Sequence, residues 1–198
     1  MQRWRTVVSK ILGALLVAVI TISDSVWDHD WEFVGSSLFL LGCALAAVGS
    51  LGRLWCSVYI GGKKTERLIV EGPYSISRNP LYFFSFIGAL GVGLASETLT
   101  IPTLILVAFA VYYPSVIKAE SGRLRRMYGE QYEDYAKKTP AFFPKISLLT
   151  EPEEYVVHPI RFRRDALSAL WFIWLLGILE FIEGFREMGV FAPLFELY

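Results

Sequence analysis

Two polar stretches of this chain carry the residue types that chemistry needs. The first, Gly72-Pro73-Tyr74-Ser75-Ile76-Ser77-Arg78-Asn79-Pro80-Leu81-Tyr82, opens on a forced turn at Gly72-Pro73, and Asn79, preceding a proline, is biased away from the α region. Pro80 suits the first turn of a following helix, so Tyr74, Arg78, Asn79 and Tyr82 arrive at a helix N-terminus, where an anionic ligand group is favoured. The second stretch runs from Glu120 to Pro140. Glu120, Leu124, Met127 and Tyr128 recur there at helical spacing, and Gly129 permits a break before Tyr132 and Tyr135. An acid at the inner edge of a span, as Glu120 is, ordinarily has a partner or a purpose. Spacing alone favours plainer readings elsewhere: the first stretch as a connector with interfacial aromatics, and Arg123, Arg125 and Arg126 as a solvated basic face near anionic headgroups. Cys43 and Cys56 form no metal or disulfide pattern and read as small apolar packing residues, so no metal site is expected.

The elements that must position these residues lie in lipid. With 54% hydrophobic residues, 19% charged and a mean hydropathy of +0.45, the 198 residues hold more apolar surface than one soluble core would bury. Val7 to Ile22, Phe33 to Trp55, Leu81 to Ala95, Leu99 to Ile117 and Ala166 to about Phe185 approach the roughly 20 residues of a spanning helix. None alternates at period two, so the expected fold class is all-α: a polytopic helical membrane protein of about five transmembrane helices, not a β-barrel. Pro102 and Pro114 fall within the fourth stretch and predict bends, and Leu81 to Ile117 predicts a tight hairpin turning near Ser96-Glu97-Thr98. Gly88, Gly91 and Gly93 allow close helix approach, within one chain or between two.

Charge gives the orientation. Arg3, Arg5 and Lys10 precede the first span; Lys63, Lys64, Arg67 and Arg78 separate the second from the third; Lys118 to Arg164 carries ten more Lys and Arg before the fifth. The loop after the first span holds Asp24, Asp28, Asp30 and Glu32 with no Lys or Arg. The positive-inside rule then makes the N-terminus and both polar stretches cytoplasmic and the C-terminus external. Arg3 and Arg5 before an apolar run imitate a secretory signal, yet no small-x-small cleavage site follows, so a retained first helix is expected, with Trp4 and Trp27 as interfacial anchors. Leu68-Ile69-Val70 is a short apolar run that either lies on the membrane surface or covers a pocket. Glu180 and Glu183 mark the outer interface of the last span, whose Trp171, Phe172 and Trp174 face lipid or pack.

Taken together, these residues resemble the isoprenylcysteine carboxyl methyltransferase and phospholipid methyltransferase superfamily of membrane methyltransferases. Its members share a turn Gly-Pro-Tyr-x-x-x-Arg-His-Pro-x-Tyr and, after a helical hairpin, Glu-Glu-x-x-Leu-x-x-x-Phe-Gly-x-x-Tyr-x-x-Tyr followed by Pro and a hydrophobic-Pro pair. The turn is Gly72 to Tyr82 here; the second motif is Glu120, Ser121, Leu124, Tyr128, Gly129, Tyr132, Tyr135, Pro140 and Pro144. The resemblance implies one integral membrane domain over residues 1–198, with a methyltransferase-like core at about 55–145 and an additional C-terminal helix at about 166–185. It implies methyl transfer from S-adenosylmethionine, held in a cytoplasm-facing pocket, to a lipophilic or lipidated acceptor reaching in from the membrane. The implied cofactor contacts are Tyr74, Asn79, Pro80, Leu81, Tyr82 and Glu120, with Leu68 and Ile69 lining the adenosine side and Tyr59 aligning before the turn. The cofactor's carboxylate suits the helix-start amides and Asn79, its amino or ribose groups suit Glu120, and aromatic faces suit a sulfonium.

Three positions depart from the pattern. Asn79 stands where the family commonly has His, which removes an acid or base role; Ser121 replaces the second Glu; and Val116 occupies the place of a substrate-binding Arg. Arg53 and Lys118 are the nearby cations that can take over an acceptor carboxylate such as that of an isoprenylcysteine. No residue is assigned to the catalytic step, and no nucleic-acid partner is expected. Two alternatives stay open: a non-catalytic cofactor- or lipid-binding relative or a phospholipid N-methyltransferase-like enzyme, and, from a different class, a small transporter or channel subunit, which the scarcity of charge at the span centres disfavours.

Overall fold

Residues 13, 15, 17–27, 31–61, 67–190 and 192–198 are described by the computed structural model of the chain. Residues 17–22 are helical and lead into a short strand β1 (Ser23–Ser25), and most of the expected first span, with Arg3, Trp4, Arg5 and Lys10, lies outside the described residues. The rest reads α1 (Glu32–Ile60), α2 (Pro73–Ile76), α3 (Pro80–Leu94), α4 (Thr100–Tyr128), α5 (Glu130–Lys138), a 3-10 turn (Ile146–Leu148), α6 (Pro159–Ala169), α7 (Trp171–Glu187) and β2 (Phe195–Leu197).

The body of the chain is all-α, as composition requires. Among the described residues three helical stretches are long and apolar enough to cross a membrane, Glu32–Ile60, Thr100–Tyr128 and Pro159–Arg186, with Pro80–Leu94 a shorter apolar helix. Of the about five spans expected, three stand among the described residues as full-length helices and one as a short helix. Most of each apolar stretch faces outward, where Leu40, Leu51, Leu104, Val111, Trp174 and Phe181 form the surface that lipid requires.

The tightest packing joins α1 to α3. A Cβ added at Gly49 would lie 2.4 Å from the Gly88 Cα, and one at Gly91 would lie 2.4 Å from the Ala46 amide, so the two backbones touch. Helices in lipid gain nothing from burying apolar area against each other, so close backbone packing holds this crossing together. The Gly88 and Gly91 approach is therefore within one chain, while Gly93 packs on Pro102 and Ile105 of α4.

Helix length places the polar stretches. With 15 residues, α3 is about 22 Å long, short of the roughly 30 Å hydrocarbon layer, while 29 residues make α4 about 43 Å. The last turns of α4, from Glu120 to Tyr128, overshoot and stand beside the Gly72 to Tyr82 turn. Pro114 lies inside α4 as expected; Pro102 sits instead in its first turn, where the missing N–H had no partner to lose. Gly129, at φ +53, turns the chain into α5. The final apolar stretch is jointed at Leu170, so the expected single helix from Ala166 divides between α6 and α7.

One feature falls outside the all-α reading. β1 and β2 pair in parallel at the end of the bundle opposite the polar turn, with Ser23 against Phe195 and Ser25 against Leu197. Two apolar clusters mark the two ends: Ile20, Val92, Ala95, Ile101, Ile105 and Leu179 at that far end, and Cys56, Tyr59, Ile69 and Tyr74 behind the polar turn. Cys56 is fully buried in the latter, consistent with a packing role.

Candidate functional site

An open cavity of about 650 Å³, mouth included, lies where the overshooting end of α4 meets the turn before α3. Ile60 closes it from the end of α1; Arg67, Leu68 and Ile69 form one wall; Tyr74, Arg78, Asn79, Leu81 and Tyr82 form another; and Glu120, Arg123, Leu124 and Tyr128, with Tyr135 of α5, complete it. Leu68 and Ile69 are buried and Val70 is exposed, so the short apolar run covers a pocket.

Seven of the anticipated cofactor contacts thus meet around one space: Leu68, Ile69, Tyr74, Asn79, Leu81, Tyr82 and Glu120. Pro80 is buried at the first position of α3 and does not line the cavity. Tyr59 stands one layer back, packed with Cys56, Ile69 and Tyr74, and its hydroxyl donates to Glu151 at 3.0 Å. The two acceptor candidates are elsewhere. Arg53 reaches away, donating to the Ser85 hydroxyl at 2.5 Å and the Ser168 hydroxyl at 3.0 Å over the Phe172 ring, and Lys118 is exposed outside the cavity lining. Val116 is buried in the bundle.

Three of the amides at the helix start expected to meet an anion are already used. The Tyr82 and Phe83 amides donate to the Asn79 carbonyl at 3.1 and 3.2 Å, and the Asn79 amide donates to the Ser77 hydroxyl at 3.2 Å. The Asn79 side-chain Nδ2 donates to the Ala141 carbonyl at 2.8 Å, tying the start of α3 to the chain after α5. Side chains supply the open valences instead. The Tyr74 hydroxyl, the Tyr128 hydroxyl and Nε of Arg78 are buried around the cavity without hydrogen-bond partners. Each such group costs about 1 to 3 kcal/mol if left dry, so three around one space call for a polar ligand or water. Burial pushes the Tyr74 hydroxyl well above its ordinary pKa, which keeps it a neutral donor. Burial raises Tyr135 likewise, against Arg78, and its hydroxyl donates to the Tyr74 carbonyl at 2.6 Å.

Glu120 finds its partner in Arg123, with Nη2 at 2.5 Å and Nε at 3.3 Å. Arg123 is therefore part of the cavity and not of a solvated face; Arg125 pairs with Glu133. Tyr128 and Tyr135 are motif positions, whereas Arg123 reads in the sequence only as one of a run of arginines; the direction of Tyr135 depends on the turn at Gly129 and the placement of α5.

The model of the family described as phospholipid methyltransferase matches residues 31–131, which contain every cavity residue but Tyr135. The chain belongs to the phospholipid methyltransferase family. Similarity extends over nearly the whole molecule to the nickel-cobalt-cadmium resistance protein NccN of Alcaligenes xylosoxydans xylosoxydans, at 38% identity over 93% of this chain and 83% of that protein. The cobalt-zinc-cadmium resistance protein CzcN of Cupriavidus metallidurans is 37% identical over 94% and 83%. Protein-S-isoprenylcysteine O-methyltransferase B of Arabidopsis thaliana is 26% identical over 66% of this chain and 68% of its own. No solved structure matches. In this phospholipid methyltransferase family member, among the described residues, no three His, Cys, Asp or Glu side chains gather as metal ligands.

Proposed function

We propose that this protein transfers a methyl group from S-adenosylmethionine to a lipophilic acceptor at the cytoplasmic face of the membrane. The observation that carries the reading is the set of buried atoms without partners, the Tyr74 and Tyr128 hydroxyls and Arg78 Nε, on residues around a cavity built from the family's two motif regions. Arg78 and the two hydroxyls fit a carboxylate, Glu120 fits an ammonium or ribose hydroxyls, Leu68, Ile69 and Leu81 fit the flat adenine, and the face of Tyr82 suits a sulfonium. When bound, S-adenosylmethionine supplies an electrophilic methyl, whose bond to sulfur breaks as an acceptor lone pair attaches to carbon, leaving a neutral thioether. The protein's part is to orient the two molecules in line and exclude water. Asn79 has no role as base, because a neutral amide does not titrate, and its Nδ2 is committed to Ala141.

A lipophilic acceptor is supported by a continuous aromatic seam between α3 and α4. Tyr82, at the cavity, meets Tyr113 at 5.2 Å; Tyr113 stacks on Phe109 at 4.0 Å; and Phe86 connects Phe109, at 4.9 Å, to Phe142, at 6.1 Å. Phe143, beside Phe142, is 74% exposed. Neither Arg53, held by Ser85 and Ser168, nor Lys118 lines the cavity, so an acceptor carboxylate such as that of a prenylcysteine draws no support from them there.

Calorimetric titration of S-adenosylmethionine into detergent-purified protein tests the reading, with Glu120→Gln and Tyr82→Ala as comparisons. Binding that both substitutions weaken supports it, and absence of binding by folded wild type in lipid overturns it. A second reading, ligand binding without transfer, is favoured by the structural commitment of Asn79; labelled methyl transfer into membrane extract separates the two. The likeness to NccN and CzcN extends the proposal to metal resistance of the cell, read as growth with nickel, cobalt or cadmium after deletion of this protein.

A further inference from the structure

The wall of the cavity formed by Arg67, Leu68 and Ile69 belongs to no helix or strand, so its position has to be imposed from outside. The contacts that impose it come from residues 150–155, beyond the region matched by the family. Tyr59 packs directly behind Ile69 and Tyr74, and both of its polar ends are held: its hydroxyl donates to Glu151 Oε1 at 3.0 Å, and its carbonyl accepts from the Tyr155 hydroxyl at 2.7 Å. The same Glu151 oxygen accepts from Trp55 Nε1 at 3.0 Å. The Tyr155 ring lies 4.6 Å from that of Tyr59 and 5.6 Å from the Arg67 guanidinium, which is paired with Glu71 at 2.9 Å. Thr150 fastens the turn itself, its carbonyl accepting from the Gly72 amide at 2.8 Å and its amide donating to the Ser75 hydroxyl at 3.0 Å. Gly72 has φ +58, and a Cβ there would meet the Tyr59 ring at 2.3 Å, so turn and ring are locked together.

We propose that Glu151 and Tyr155 are positioning residues for the ligand of this cavity, acting through Tyr59 and Arg67 to hold residues 67–74 in the binding arrangement. A wall without its own ladder of hydrogen bonds spends binding energy on being ordered unless something orders it beforehand. Glu151 is exposed, and what makes it an anchor is that one of its oxygens takes two donors at once. The proposal deepens the S-adenosylmethionine reading and rests on it for the identity of the ligand.

The test uses the full chain in detergent. S-adenosylmethionine is titrated into wild type, Glu151→Ala, Glu151→Gln, Tyr155→Leu and Tyr155→Phe, and amide hydrogen exchange is followed without ligand over residues 67–76 and 100–116. Glu151→Ala and Tyr155→Leu are expected to weaken binding about tenfold and to speed exchange at 67–76 while 100–116 stays as in wild type. Glu151→Gln, which keeps an acceptor oxygen in place, and Tyr155→Phe, which keeps the ring on Arg67, recover most of the affinity. Unchanged exchange at 67–76 overturns the proposal, as does faster exchange spread equally over 100–116, which marks general loosening. Wild-type binding that Glu151→Ala and Tyr155→Leu leave within twofold overturns it too. Wild type that binds no S-adenosylmethionine overturns the methyltransferase reading instead, and the exchange comparison still decides the role of Glu151 and Tyr155.

Discussion

The two ends of the bundle differ in how far their polar groups are satisfied, with Trp27 Nε1 and Arg186 Nε the buried atoms left without partners at the far end. At the far end a second cavity is lined by Asp24, Glu97, Glu183 and Arg186, a set that looks chemical. Arg186, however, donates to the carbonyls of Ile20, Thr21 and Ser23 and to Asp24, leaving only its Nε without a partner. The Tyr198 carbonyl oxygen accepts from the Leu99 and Thr100 amides and the Thr100 hydroxyl, tying β2 to the start of α4. At the cavity end three residues that line one space carry buried polar atoms without partners. Saturated polar groups hold elements together, whereas unsaturated ones around a space are poised for something that is not protein.

That contrast can be broken by moving the same kind of change between the ends. Arg186→Met is expected to cost about 3 kcal/mol of stability, because several acceptors lose one cation, while leaving affinity for S-adenosylmethionine within twofold. Chemical denaturation together with calorimetry measures both. Arg78→Met at the cavity end is expected to do the reverse: affinity falls roughly tenfold, the worth of about 1.4 kcal/mol, with little change in stability. Should Arg78→Met destabilise as much as Arg186→Met, the distinction between the ends is lost. Tyr128→Phe sharpens it, since deleting an unpartnered buried hydroxyl leaves unliganded stability unchanged or raised by up to about 1 kcal/mol and weakens binding by roughly fivefold.

The smallest effect is the pH dependence. Tyr74 and Tyr135 both have folded pKa values raised by burial, so their neutral forms contribute stability that is complete below the unfolded value of about 10. That stability is lost as pH rises beyond it, and Tyr135→Phe is expected to flatten the fall. Denaturation series at pH 8 to 11 measure the slope, and identical slopes for the two proteins would remove the claim.

Much of the site was legible because its residues are local in sequence. Pro80 set the start of α3, and one turn therefore carried Tyr74, Asn79, Leu81 and Tyr82 to the same place. Glu120 was marked by its position at the end of a span, where an acid is costly without a partner. Nearness along a helix says nothing of direction: Arg53, outside the cavity lining, points to Ser85 and Ser168, toward α6. The role of Arg123 depended on a neighbour three residues away and on the cavity beside it, which a count of basic residues cannot distinguish from a solvated face.

By itself the sequence determined the membrane as solvent, the helical class and the two motif regions, since apolar run length, proline and glycine placement act over a few residues. Only the tertiary structure decided that Gly49 and Gly88 bring α1 against α3, that the chain after α5 returns to meet Tyr59 through Glu151, and that β1 and β2 close the far end. Those contacts join residues 39, 92 and 172 positions apart, and no local preference of either partner records the other.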